Sequence, residues 1–339
     1  QTELGLIPDD WEVKKLGEIL KEYSLGGNYE NNSEESGIPL IKMGNIGRGK
    51  IDLSKIEYLP KNVNYSKNDI LKYNDILFNT RNTLDLVGKV SIWKNEALFA
   101  LYNSNLLRLY FKEDFVENND YVNFQFNSEI TLANLKKYAT GTTSVAAIYT
   151  KDLLKLKFLL PPLPEQKKIA DCLSTWDVAI EKQSALINAL TDRKKALMQQ
   201  LLTGKKRLPG FSGEWKEVKL GEVCEIKKGS QINKIELSSN LGFPVINGGI
   251  EPSGYHDDWN VAENTITISE GGNSCGFINF IKEKFWSGGH CYTLQNLKIN
   301  INKIFLFYFL KNSENQIMKL RVGSGLPNIQ QKDIKNFEI

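Results

Sequence analysis

The chain has 339 residues, 41% apolar and 24% charged, the balance of an ordinary globular protein with room for two cored domains. Its 43 basic and 40 acidic side chains leave a formal charge of only +3, so any nucleic-acid surface has to be a local patch. No run approaches the roughly 20 apolar residues of a membrane span. The opening QTELGLIPDDW lacks the basic and apolar regions of a signal peptide, and the four cysteines (Cys172, Cys224, Cys275, Cys291) form no CxxC pair. No membrane partner and a reduced, cytoplasmic setting are expected.

In chain order, residues 1–160 predict an α+β module of many short strands. WEVKKLGEIL (from Trp11) and DILFN (75–79) have the pattern of strand or strand-to-helix segments, and Gly, Asn and Asp clusters at 26–37 and 44–52 punctuate them. The run TKDLLKLKFLL (150–160) alternates as one closing strand would. Pro161-Pro162-Leu163-Pro164 then forms a hinge, because proline fixes φ and disfavours helix before it. A helix is expected from near Glu165, with the acidic side chain at the positive end of the dipole. Its apolar positions step by four and three: Ile169, Leu173, Trp176, Ile180, Ile187, Leu190, Leu197 and Leu201, interrupted by Gln183 and Lys194. That period predicts a coiled-coil seam, on a rod of roughly 57 Å at 1.5 Å per residue. Gly204 is a fitting stop, followed by the basic linker Lys205-Lys206-Arg207.

A second module, 205–339, repeats the first. Trp11, Leu16, Gly17 and Glu18 return as Trp215, Leu220, Gly221 and Glu222, and Gly37-Ile38-Pro39-Leu40-Ile41 returns as Gly242-Phe243-Pro244-Val245-Ile246. GTTSVAAIYTKDL (141–153) is answered by GSGLPNIQQKDI (323–334). Framework residues repeat while those between them diverge, as on one scaffold carrying two different surfaces.

Catalytic signatures are weak. GNIGRGK (44–50) fits GxxxxGK, but Ile51 stands where a phosphate-binding loop needs Ser or Thr. Glu12-Val13-Lys14 and Glu217-Val218-Lys219 match half of a nuclease motif, yet both lie in the duplicated framework. His290-Cys291 with Cys275 is no known zinc spacing. Neither a catalytic residue nor a metal or cofactor is expected.

These repeated segments, with LPPLPEQKKIADCLSTWDVAIEKQ and LLTGKKRLPGFSGEWKEVKLGEV at the helix boundaries, closely resemble the specificity subunits of type I restriction–modification enzymes. The resemblance covers essentially the whole chain. It implies an α+β fold with two similar target-recognition domains, 1–160 and 205–339, joined by a hinge and conserved helix at 161–204. It further implies that each domain reads one half of a split site in double-stranded DNA. The helix would dock modification (methyltransferase) subunits, restriction subunits would join through the complex, and the chain itself would be no enzyme. Alternative readings are a truncated or phase-variable copy acting as a dimer, and the recognition part of a fused methyltransferase–nuclease. Family members continue into a second hinge and helix, whereas Ile339 aligns near Phe158 of the first copy. The lone seam is therefore expected to pair with its own counterpart in a second chain or with a modification subunit. A duplex turn is about 34 Å, so the rod matches a split site with an unread spacer.

Base reading needs polar side chains on exposed loops with basic residues nearby. In the first module this selects Lys42, Asn45, Arg48 and Lys50, then Asn79, Thr80, Arg81, Asn82 and Thr83 with Lys89, then Thr142, Thr143 and Ser144. In the second it selects Asn247, Tyr255, His256, Glu270, Asn273 and Ser274. The change from TRNT to SEGGNS sets a glutamate and glycines against an arginine and predicts different bases.

Overall fold

The computed structural model describes residues 7–339 apart from Ser36, Lys61, Thr143, Ile299, Asn300 and Ser324. It divides into two compact units, 1–183 and 184–339. Both are α+β, as the repeat implies.

In the first unit, strand Glu12–Lys15 pairs antiparallel with Lys157–Leu160, from Glu12 opposite Leu160 to Lys15 opposite Lys157, so the ends of the module close on each other. One helical turn, Leu16–Ile19, follows at once. The Glu18 carboxylate accepts the Lys15 N–H at 2.8 Å as a cap, and Leu16 and Ile19 are fully buried. Gly17 lies flat on the 154–156 segment, its N–H donating to the Leu154 carbonyl at 3.0 Å; a Cβ there would sit 3.3 Å from Leu154. That close approach explains why LGE is kept in both copies.

A four-stranded antiparallel sheet comes next, in the order Leu20–Leu25, Leu106–Phe111, Ile76–Asn79, Val90–Ile92. Ile76–Asn79 is buried on both faces. Ile76 and Phe78 pack with Leu107, Leu109, Val122, Phe126 and Phe158, where helices Asn119–Phe126 and Glu129–Tyr138 cover the sheet. Leu77 points the other way, into a cluster with Ile41, Trp93 and Tyr102. This period-2 division follows from the pleat. A small sheet sets Ile38–Ile41 between Glu57–Leu59, antiparallel, and Leu101–Tyr102, parallel.

The run TKDLLKLKFLL is not one strand. Thr150–Leu153 is a helical turn, and only Lys157–Leu160 extends. Leu153 and Leu156, three apart, are both fully buried, which a turn of helix achieves and alternation does not.

The long helix runs Leu163–Leu201, two residues earlier than expected. Pro164 fits in its first turn, where an amide N–H would have no intrahelical partner. The Gln166 amide donates to the carbonyls of Phe115 (2.9 Å) and Pro161 (3.0 Å), and the Trp11 indole N–H donates to Glu165 (3.1 Å), which seats the helix start. Gly204, at φ +68°, ends the turn beyond it. Along the seam, Leu173, Trp176, Ile180, Ile187, Leu190 and Leu197 are 40–66% exposed, while Ile169 and Leu201 are half-buried.

The second unit repeats the topology. Val218 and Ile339 exchange N–H···O bonds at 3.1 and 2.9 Å, the counterpart of the closing strand pair, and Leu220–Val223 is the helical turn. The sheet order is Glu225–Lys228, Cys291–Gln295, Thr265–Ser269, Ile278–Ile281, with Phe243–Ile246 between Tyr255–His256 and Trp286–Ser287 in the small sheet.

Candidate nucleic-acid interface

The three loops selected in the first module meet at one end of its main sheet. Arg81–Asn82 pairs with Ala146–Ala147, which pairs in turn with Thr140–Gly141. The glycine loop joins them: Gly49 N–H donates to the Val90 carbonyl at 2.8 Å, and the Arg48 guanidinium reaches the Asp85 carbonyl at 3.3 Å. Beside Arg81 opens a groove of about 300 Å³ lined by Leu25, Thr80, Asn105, Ala147 and Tyr149 among others.

Within these loops the residues divide by burial. Asn45 is 2% exposed; it accepts from the Lys42 N–H and donates to the Asp52 carbonyl, both at 2.9 Å, so it shapes the loop instead of reading bases. Asn79 is fully buried and accepts from the Arg81 N–H at 3.2 Å. Burial sets both apart from the exposed residues expected to contact bases: Asn45 spends its carboxamide on its own loop, whereas Asn79 has only its oxygen bonded, its side-chain NH2 being buried without a partner among the described residues. The Thr80 hydroxyl donates to the Asn105 carbonyl at 2.8 Å, and Asn82 accepts from the Thr83 N–H at 2.8 Å. Lys42 pairs with Glu57 at 2.8 Å. Lys50 pairs with Glu181 (2.7 Å) and Asp177 (3.6 Å) on the long helix, and the Glu181 hydrogen bond leads in pushing its ammonium pKa up. Arg81 is exposed with no ion pair among the described residues, and Arg48 and Thr142 are also exposed. Lys89 is half-buried, and Thr143 lies outside the described residues.

Identical hydrogen bonds align the second unit with the first. Thr80 N–H to the Asn105 carbonyl (3.0 Å) matches Glu270 N–H to the His290 carbonyl (2.9 Å). Ile148 N–H to the Thr80 carbonyl (3.0 Å) matches Ile329 N–H to the Glu270 carbonyl (2.8 Å). Glu270 therefore stands at the position of Thr80, and Gly271 at that of Arg81. This shifts by one residue the sequence comparison that set the glutamate against the arginine.

Glu270 is only 8% exposed, which corrects its expected role as a base contact. One carboxylate oxygen accepts from Lys228 (2.5 Å) and the Tyr292 hydroxyl (3.0 Å), the other from His290 Nδ1 (3.3 Å). Burial acts to raise its pKa, but the Lys228 and Tyr292 hydrogen bonds and the Lys228 charge outweigh it and hold the carboxyl below its ordinary value. Around it, Asn247 accepts the His290 N–H at 3.1 Å, and the Ser269 and Ser274 hydroxyls both donate to the Gly248 carbonyl. His256 accepts the Asp258 N–H at 3.0 Å and stacks edge-on against Trp286 at 5.1 Å; Tyr255 is half-buried in the small sheet, and Asn273 is exposed. Lys228 and His290 were absent from the sequence selection, since 42 residues separate Lys228 from its partner and only the sheet brings them together. Cys275 and Cys291 are buried, and burial pushes the Cys291 thiol up to about 11, the behaviour of small core side chains.

The family model for the type I restriction modification DNA specificity domain matches residues 8–192 and again 212–339. The chain belongs to this family. It is 28% identical over 372 residues to a Methanocaldococcus jannaschii protein named for the MjaX type I restriction enzyme's specificity subunit, covering 100% of this chain and 84% of that one. It is 33% identical over 218 residues to the MjaVIII specificity subunit of the same organism, covering 62% of this chain and 50% of the relative. The Escherichia coli EcoKI specificity subunit is 26% identical over 202 residues, 58% of this chain and 42% of the relative. Among solved structures, the Mycoplasma genitalium type I S subunit superposes with TM-score 0.66 at 18% identity, over 100% of this chain and 87% of that one. A chain from a study of type I complex assembly and conformational transition gives 0.57 at 19%, over 99% and 86%. Both show the same fold. As a member of the specificity family, the chain serves in target selection and is not itself an enzyme.

Proposed function

We propose that the chain reads double-stranded DNA for a type I restriction–modification complex, with 1–160 and 205–339 as two recognition domains and 161–204 as the hinge and helix between them. The observation that carries this reading is the duplicated rim: one hydrogen-bonded scaffold bears Thr80, Arg81 and Asn105 in one copy and Glu270, Gly271 and His290 in the other. Different polar groups at equivalent places are what a split, asymmetric target requires. The exposed seam of the long helix supports docking of modification subunits, which would bring restriction subunits and the chemistry. Fully burying one such leucine or isoleucine is worth about 1.5–3 kcal/mol, so a seam of six favours a bound state over an open one.

Co-expression with modification subunits, followed by sequencing of methylated adenines, tests the proposal. A split motif with two unlike halves is expected. A palindromic motif would assign the helix to pairing between two copies of the chain, and no motif would overturn the DNA-reading role.

A further inference from the structure

The Glu270 cluster is not something the scaffold needs. Strand pairing places Lys228 opposite Tyr292, and in the first unit Leu25 opposite Leu107. With the alignment of Glu270 to Thr80 and His290 to Asn105, the first unit makes the same backbone bonds there using Leu25, Thr80, Asn105 and Leu107. No charge is required for that geometry. The Lys228 and Tyr292 hydrogen bonds outweigh the desolvation of this carboxylate, so the cluster is internally satisfied without being required by the strand pairing. What the cluster does is present two side chains outward from a fixed base: Lys228 and His290 are 51% and 63% exposed, above a carboxylate that is 10% exposed.

The orientation of the histidine is chemically defined. An ionised carboxylate can only accept, so the nitrogen facing Glu270, Nδ1, carries the proton. Whenever the ring is neutral, Nε2 is then its acceptor, and the His290 backbone N–H is held by the Asn247 carboxamide oxygen at 3.1 Å. In a major groove such an acceptor matches an exocyclic amine, adenine N6 or cytosine N4. Lys228 donates one ammonium proton to Glu270, which leaves others for an adjacent acceptor such as guanine O6 or N7.

We propose that His290 and Lys228 are base-reading side chains of the second unit, and that Glu270 is a positioning residue that touches no base but fixes the His290 tautomer and direction. This rests on the DNA-reading role proposed above. It differs from the sequence expectation, which had the carboxylate itself contact a base.

The test uses the full chain assembled with modification subunits acting on a random-sequence duplex library, with methylated sites sequenced. His290→Ala, and His290→Asn, which installs the first unit's residue, should each relax preference at one position of one half-site by roughly tenfold and leave the other half-site unchanged. Glu270→Gln should alter preference at that same position. If both His290 variants retain the wild-type motif at every position, the inference is overturned. If Glu270→Gln lowers only thermal stability and total methylation, with base preference intact, its positioning role is overturned. A wild-type complex that methylates no split motif would instead sink the underlying DNA-reading proposal. Because His290 is largely exposed, its variants are expected to fold.

Discussion

Removing Arg108 should strongly destabilise the first unit and spare the second. Arg108 and Asp75 are 4% and 6% exposed, with the guanidinium on the carboxylate at 3.1 Å. The guanidinium also donates to the carbonyls of Ile70 (2.9 Å) and Asn68 (2.5 Å), and lies 4.9 and 5.0 Å from the rings of Tyr102 and Tyr110. Arg108→Met leaves Asp75 with one remaining donor, the Lys72 N–H at 2.8 Å. Breaking one side of a buried pair costs about 3–5 kcal/mol, a large share of the roughly 5–15 kcal/mol that holds a domain folded. The double variant Asp75→Leu with Arg108→Met removes the stranded charge but leaves the Ile70 and Asn68 carbonyls and the Lys72 N–H without these partners, and should cost less than the sum of the two single variants. Hydrogen exchange of the full chain reads this directly: amides of Ile76–Asn79 should lose protection, while those of Thr265–Ser269 serve as an internal control. The pH response adds a sign. In the wild type, burial already raises the Asp75 carboxyl above its ordinary 3.8, against the Lys72 and Arg108 bonds. A raised folded pKa contributes stability below that pKa and loses it as pH rises through it. Arg108→Met, with its carboxylate stranded, should therefore regain stability as pH is lowered toward the ordinary value. The reasoning is refuted if the double variant is destabilised by the sum of the singles, or if acidification gives no rescue.

Glu270 carries the opposite sign. Its folded pKa is lowered, so its contribution is present above the ordinary 4.5 and is lost as pH falls through the folded value. Urea unfolding of the second unit should show an acid-sensitive step below 4.5 that Glu270→Gln flattens. Arg81→Ala should weaken cognate DNA binding by roughly 5- to 100-fold, more than binding to random duplex, with an unchanged melting temperature; equal loss on both would make it a phosphate contact. Asn45→Ala should do the reverse, costing about 1–3 kcal/mol by removing two hydrogen bonds from a buried loop, measured by thermal melting. Ile180→Glu and Ile187→Glu, at positions 60% and 54% exposed, should leave the chain folded yet abolish co-purification with a modification subunit.

Much of the architecture was legible because it rests on local rules. The heptad stripe, proline-rich start and glycine stop located the long helix to within a few residues, and the Leu-Gly-Glu turn was marked twice because Gly17 and Gly221 both lie close against a facing segment, where a Cβ would sit 3.1–3.3 Å from its nearest neighbour. The turn Thr150–Leu153 was misread because alternation at Leu154, Leu156, Phe158 and Leu160 hid the three-residue step from Leu153 to Leu156. The interface was legible as loops but not as residues. Asn45, Asn79 and Glu270 have side chains of the kind base reading requires, yet turns take up the Asn45 carboxamide and the Asn79 oxygen, and Lys228, Tyr292 and His290 take up the Glu270 carboxylate. Which demand wins depends on burial, and burial is set by segments far away in the chain. Lys228 and His290 were invisible for that reason: their link through Glu270 exists only once Glu225–Lys228 and Thr265–Ser269 flank Cys291–Gln295 in the sheet.

The two copies together separate what holds the rim from what the rim displays. Bonds made by backbone atoms at Asn79, Thr80, Asn105 and Ile148 recur at Ser269, Glu270, His290 and Ile329, so they belong to the scaffold whatever the side chain. Side chains at those positions are then free to change chemistry without moving the backbone: a hydroxyl in one unit, a charged hub in the other. Arg81 and His290 are the outcome of that freedom. One is a cation beside an uncharged groove, the other an imidazole braced from below by a carboxylate. Swapping the side chains at a single equivalent position tests base preference against a constant scaffold, which is why His290→Asn is more informative than truncation.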